Sequence, residues 1–145
     1  MHARKQLAHL SSPLNQDIVF LKILFGEDTR TTVMIRNIPN KFKQSEILKL
    51  INTNNANRFD YFYLVMDLRK GANNGYAFIN FTHHFYVLDF FLEFQGIKWS
   101  DVRQGCSSTK FCDLKYANIQ GIKSLVAHHK DKNIMQKNDE QVKPK

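Results

Sequence analysis

The sequence predicts an α+β sandwich: a four-stranded antiparallel sheet with two helices on one face, followed by a third, C-terminal helix. Two observations carry that expectation. From residue 31 onward, apolar patterns of period two and period 3.6 alternate in the order β-α-β-β-α-β. Within that order one stretch, Asn74-Gly75-Tyr76-Ala77-Phe78-Ile79-Asn80-Phe81, alternates two apolar sets over a strand's length. Ala77, Ile79 and Phe81 fall on one face of such a strand, and Tyr76, Phe78 and Asn80 on the other. The first set suits a core. The second offers two rings and an amide with no obvious reason to be buried.

Residues 1–28 read as an N-terminal leader holding one apolar segment, 18–25, which reads as two helical turns in preference to a strand, with Asp17 as cap and Gly26 as terminator. The first strand spans 31–38, rich in β-branched residues, with Val33 and Ile35 on one side and Met34 and Arg36 on the other. Pro39 ends it, because proline lacks the amide hydrogen a strand would use. The first helix starts at Ser45 as N-cap with Glu46 in the first turn, and Ile47, Leu48, Leu50 and Ile51 form its apolar stripe. The second strand spans 59–68, and its alternate face carries Tyr61, Tyr63, Val65 and Asp67. Residues 70–75 form a loop before the octamer strand. The second helix spans 85–95 with Gly96 as C-cap, and its apolar residues exceed what one buried stripe needs. Phe90 and Phe94 are therefore expected to meet something besides the sheet, and they are the candidate surface for a protein partner.

Trp99 is the only large anchor in the connection 96–109. The fourth strand spans 110–116, with Cys112, Leu114 and Tyr116 inward and Asp113 and Lys115 outward. Ile122, Leu125, Val126 and His129 recur at helical spacing and predict the third helix, so that the domain runs over 29–130. Residues 131–145 read as a charged, disordered tail. Two right-handed βαβ units in this order build a ferredoxin-like sheet of strand order 4-1-3-2. The first and third strands are then central neighbours, and Met34 and Arg36 lie beside Tyr76, Phe78 and Asn80 on the face away from the helices.

Charge and composition bound the chemistry. The 145 residues carry a net charge of +8. Residues 30–127 hold thirteen basic and seven acidic side chains, whereas 1–29 are balanced at three each, so the excess sits in the folded part and points to a polyanionic partner. Cys106 and Cys112 are the only cysteines, too few for a zinc finger or a disulfide framework. The polar start of the chain does not read as a signal peptide, and no apolar run approaches bilayer length, so the expectation is a soluble intracellular protein of nucleus or cytoplasm without membrane or metal partners. Adjacent histidines at 83–84 and 128–129 are expected to point apart and make no metal clamp. No paired carboxylates, nucleophile motif or phosphate loop is present, so no enzyme activity and no cofactor are expected.

The octamer resembles the signature of the RNA recognition motif, or RRM: basic-Gly-aromatic-Gly/Ala-aromatic-aliphatic-x-aromatic, matched everywhere except at Asn74, where the basic residue is missing. Val33 to Ile38 resembles the companion hexamer, with Met34 at the position of a stacking aromatic and Ile38 in place of Leu. A narrower similarity, over about 27–135, is to the C-terminal RRM of the Mei-two-like regulators of meiosis and development. It is carried by residues 28–42, by 75–81 and by Tyr116-Ala117-Asn118-Ile119-Gln120-Gly121. In those relatives Met at the hexamer position is usual.

The resemblance implies post-transcriptional regulation through single-stranded RNA bound on the open sheet face, with no catalysis. Tyr76 and Phe78 would stack on bases, with Met34 as a softer apolar floor. Arg36, Lys41, Lys43 and Lys115 would meet phosphates or stack as cations. Asn80, Asn118 and Gln120 would hydrogen-bond base edges. The alternative is a protein-interaction module whose sheet is covered, either by a partner or by the third helix lying across it.

Overall fold

Strand alternation decides which sheet face a side chain joins. In the computed structural model, which describes residues 15–130, the element order is α1 (Phe20–Leu24), β1 (Thr32–Arg36), α2 (Gln44–Asn55), β2 (Phe59–Asp67), β3 (Ala72–Phe81), α3 (His84–Phe94), α4 (Trp99–Val102), β4 (Asp113–Tyr116) and α5 (Ile122–His128). β1 and β4 bury alternate residues, whereas β2 is buried on both faces and its register shifts between Phe59 and Tyr61 and between Leu64 and Met66. The strands form one antiparallel sheet in the order β2-β3-β1-β4, the expected 4-1-3-2 arrangement. Val33 and Ile35 of β1, Ala77, Ile79 and Phe81 of β3, Phe62 and Leu64 of β2, and Leu114 and Tyr116 of β4 point into one core. Ile47, Leu48 and Ile51 of α2 and Val87, Phe90 and Phe94 of α3 close it.

Phe90 and Phe94 correct an expectation. They are 1% and 5% exposed, so they belong to the core and offer no surface to a partner. What covers the excess apolar surface of α3 is α1, which packs along it and contributes the fully buried Ile23. The stretch expected as a leader is thus built into the fold from Gln16 onward: Ile18 and Ile23 sit in the core, and the Tyr116 amide donates to the Gln16 carbonyl at 2.8 Å. A five-residue helix has no stability of its own, and packing against α3 supplies it. Residues 1–14 of the leader and the expected tail over 131–145 lie outside the described residues.

Three local details also differ. Lys43, not Ser45, is the N-cap of α2; its amide donates to Glu46 Oε1 at 2.8 Å, so the cap is a carboxylate reaching back from the first turn. The first half of the expected fourth strand pairs elsewhere, through a bridge between Lys98 and Phe111 and a 2.8 Å bond from the Cys112 amide to the Ile97 carbonyl. Trp99 anchors this connection, buried edge-on against Phe42 at 5.6 Å. His83 and His84, expected to point apart, stack at 4.3 Å, because His83 is an extended N-cap residue rather than part of α3.

Candidate functional site

The sheet face opposite α2 and α3 is organised in three cross-strand rows. Thr32, Asn80 and Tyr61 are register partners in the first, Lys115, Met34, Phe78 and Tyr63 in the second, and Asp113, Arg36 and Tyr76 in the third. The sequence-predicted residues Met34, Arg36, Tyr76, Phe78 and Asn80 therefore do converge on one face. Their environments are unlike one another, and the difference comes from α5.

The turn leading into α5 is clamped to the start of β1. Gln120 Oε1 accepts from the amides of Thr31 and Thr32 at 3.1 and 3.0 Å, and its Nε2 donates to the carbonyls of Thr32 and Ala117 at 2.8 and 2.9 Å. The Gly121 amide then donates to Thr32 Oγ1 at 2.9 Å, with a backbone φ of +92° that favours glycine. This aims α5 across β2 and β3. Leu125 and His129 are buried there, with Tyr61, Tyr63 and Val65 beneath them. The His129 ring lies 4.7 Å from Tyr63, 5.0 Å from Phe78 and 6.0 Å from Tyr61, and its Nδ1 is hydrogen-bonded to the Tyr61 hydroxyl at 2.9 Å. Val126, expected on the inward stripe, is 42% exposed.

Two expected base readers are thereby corrected. Asn80 is 4% exposed; its Oδ1 accepts from the Thr31 and Thr32 hydroxyls at 2.8 and 2.7 Å and its Nδ2 donates to Asp60 at 2.8 Å. Gln120 has both ends of its amide committed to the β1 clamp. Gln120 thus has all four of its hydrogen-bonding positions used inside the fold, and Asn80 has three of its four used and is buried, so neither is placed to read a base. Asn118 is exposed but accepts from Gln16 Nε2 at 2.6 Å. Lys115 is bridged to Asp17 at 2.6 Å, and that partner holds the Asp17 carboxyl below the usual carboxylate range. Lys41 and Lys43 are exposed in the β1–α2 turn.

The third row stays open. Beyond the edge of α5 lies a groove of about 420 Å³ lined by Met34, Arg36, Tyr76, Asn74, Asn40 and Lys110, with Asn37 and Gly75 completing it. Tyr76 is half-buried and meets Phe78 edge-on at 5.9 Å. Arg36 is bridged to Asp113 at 2.9 Å, with 42% of its side chain still exposed. Gly75 has φ +93°, and a Cβ there would stand 3.7 Å from the Ile38 carbonyl, so the strained φ rather than crowding selects glycine. The Ile38 amide donates to the Gly75 carbonyl at 2.9 Å and keeps β1 against β3 at the groove floor. Sequence reasoning missed Asn37, Asn40 and Lys110. The turn Asn37-Ile38-Pro39-Asn40 pointed to the first two, but nothing local marks Lys110.

Chemically the groove offers an aromatic face, a thioether, amides and cations, a set suited to binding. Cys112 lies in the core on the other side of β4, where burial pushes its thiol far up and keeps it protonated. Among the described residues, no group of three metal-ligating side chains comes together, and no helix is long and apolar enough to cross a membrane.

Known proteins resemble this chain in sequence and in structure. Protein MEI2-like 5 of Oryza sativa subsp. japonica is 42% identical over 114 residues, which are 79% of this chain and 14% of that protein. Meiosis protein mei2 of Schizosaccharomyces pombe is 40% identical over 119 residues, 82% of this chain and 15% of that protein. The chain thus spans about one seventh of the length of these relatives. Among solved structures, that of the Rna15 RRM with bound RNA (GU) covers 69% of this chain and 96% of its own, at 20% identity and a TM-score of 0.49. The family RNA recognition motif 2 matches residues 30–130, from just before β1 to just past α5, and the chain belongs to that RRM family, as a homologue of the Mei2-like proteins.

Proposed function

We propose that this chain binds single-stranded RNA through the open end of its sheet, in the groove floored by Met34 and Tyr76, as an intracellular post-transcriptional regulator of the Mei2-like type. The observation that carries the reading is the third cross-strand row. It presents an aromatic ring and a guanidinium side by side on a face that the packing helices leave open, within a family built around that sheet. A base stacks on Tyr76, the Met34 thioether adapts to its edge, and Arg36 meets backbone or base as a cation. Phe78 is the next ring along β3 and is reached when α5 lifts from the sheet. The likeness to Meiosis protein mei2 extends the reading to transcripts of meiosis, in nucleus or cytoplasm. Binding, with no catalytic step, is the activity assigned.

The test is Tyr76→Ala with RNA affinity read by fluorescence anisotropy. Base–aromatic stacking is worth about 1–3 kcal/mol, so affinity falls by about five- to 150-fold. Tyr76→Phe retains it. Unchanged affinity in Tyr76→Ala would overturn the stacking role.

The α5 cover favours a second reading, a protein-interaction module with an occluded sheet. Under that reading the chain binds no single-stranded RNA, whatever the state of Tyr76.

A further inference from the structure

The octamer of this chain lacks the basic residue of its first position; Asn74 stands there, exposed at the rim of the groove. The structure brings a different cation to that rim. Lys110, on the connection before β4, lines the groove together with Asn74, and its Nζ lies 3.4 Å from Asn40 Oδ1. Asn40 is in turn fastened to the start of the octamer strand: its Nδ2 donates to the Asn73 carbonyl at 2.9 Å, and its carbonyl accepts from the Asn73 amide at 3.2 Å.

The backbone of Lys110 is held from both sides. Its carbonyl accepts from the Trp99 amide at 3.2 Å and its amide donates to Ser108 Oγ at 3.1 Å. Next to it, Asn37 Nδ2 donates to the Phe111 carbonyl at 3.2 Å.

Two cations line the groove, Arg36 and Lys110, and they differ in whether a carboxylate holds them. Arg30, Arg36, Arg58, Arg69, Arg103 and Lys115 each have a carboxylate partner. Among the described residues Lys110 has none, and its recorded contact is a neutral amide oxygen. An ammonium held at a groove rim by a neutral acceptor keeps its full charge for an incoming anion.

We propose that Lys110 is the phosphate-binding residue of the groove, supplying from the β4 side the cation that the octamer lacks at Asn74. The ligand it takes is one phosphodiester of the RNA strand whose base stacks on Tyr76, so this inference rests on the functional reading above. A single neutralised phosphate contributes about −0.7 to the slope of log affinity against log salt for a single strand.

The experiment uses the full 145-residue chain and a fluorescein-labelled single-stranded RNA pool of mixed sequence, titrated across a salt series. In Lys110→Gln the slope becomes shallower by about 0.7, with the affinity loss largest at low salt. Adding Asn74→Lys to that variant restores the slope, because a cation returns to the groove at the first position of the octamer. Lys49→Gln, on the exposed side of α2, leaves the slope as in the parent chain. If Lys110→Gln has the parent slope while Tyr76→Ala still loses affinity, the Lys110 assignment is wrong and the RNA reading survives. If the parent chain binds none of the pool at any salt, both fall together.

Discussion

The α5 cover makes a quantitative prediction, because one side chain makes several of its contacts. His129 is 1% exposed and touches three rings, Tyr63, Phe78 and Tyr61, besides its hydrogen bond to the Tyr61 hydroxyl. Aromatic contacts contribute about 0.5–1.5 kcal/mol each and a buried hydrogen bond about 1 kcal/mol, so His129→Ala weakens docking of α5 by about 2–4 kcal/mol once non-additivity is allowed for. A helix of seven residues does not persist by itself, and Leu125 with the partly buried Ile119 and Ile122 is then what remains to hold it. The rest of the fold is insulated from the change, since the cluster around His129 lies on the opposite side of the sheet from the main core.

The assay has two arms. Hydrogen exchange of the amides in 122–128 accelerates by about 30-fold or more, since 1.4 kcal/mol is a factor of ten, while exchange in β1 and β3 is unaltered. Affinity for single-stranded RNA rises, because ligand no longer has to displace the helix to reach Phe78. The rise is bounded by the docking free energy of the parent helix. Faster exchange with unchanged RNA affinity would refute the competition between α5 and RNA. Unchanged exchange would refute the assignment of His129 as the residue that holds the helix.

Three other perturbations have definite outcomes. Phe90→Ala removes a core ring and lowers unfolding stability by about 3–5 kcal/mol, read from the urea midpoint; a stable Phe90→Ala protein would restore α3 as a surface for partners. Ile23→Ala, within the stretch expected as a leader, lowers stability by about 2–5 kcal/mol, and a loss below 0.5 kcal/mol would mean that α1 is not part of the folded unit. The urea midpoint also depends on acid pH. Burial pushes the Asp28 carboxyl up, but the hydrogen bonds and charge of Arg30 outweigh it and hold it below its usual value; the Lys43 amide and Arg103 do the same for Glu46. A carboxyl depressed in the folded state contributes stability that is fully present above its unfolded value of about 4 and is lost as the pH falls through the lower folded value. These two carboxyls therefore add a loss of stability that sets in as the pH falls below about 4, and Asp28→Asn makes that drop shallower.

The sequence by itself determined the sheet. Period-two alternation in 32–36, 61–64 and 76–81 assigns each side chain to a face, and the right-handed crossover rule orders the strands, so the neighbours Arg36 and Tyr76 were legible before any coordinates, while the register shift that turns Phe59 into the core was not. It also determined the family, because the octamer and hexamer are contiguous signals. It did not determine which of the outward residues stay outward. Asn80 and Gln120 have the composition of base readers, and only the tertiary structure reveals their amides used within the fold, by Thr31, Thr32 and Ala117, residues up to 89 positions away. Periodicity over 122–129 announced a helix but not its destination; His129 over Tyr61 is a contact across 68 residues of chain. The same holds for α1, whose apolar residues could not be paired with those of α3 from local pattern, and for Lys110, which reaches Asn40 across 70 residues. Local alternation encodes a face. Whether that face meets water, a helix or a neighbouring amide is decided by chain segments far away in sequence, and that information exists only once the chain has closed on itself.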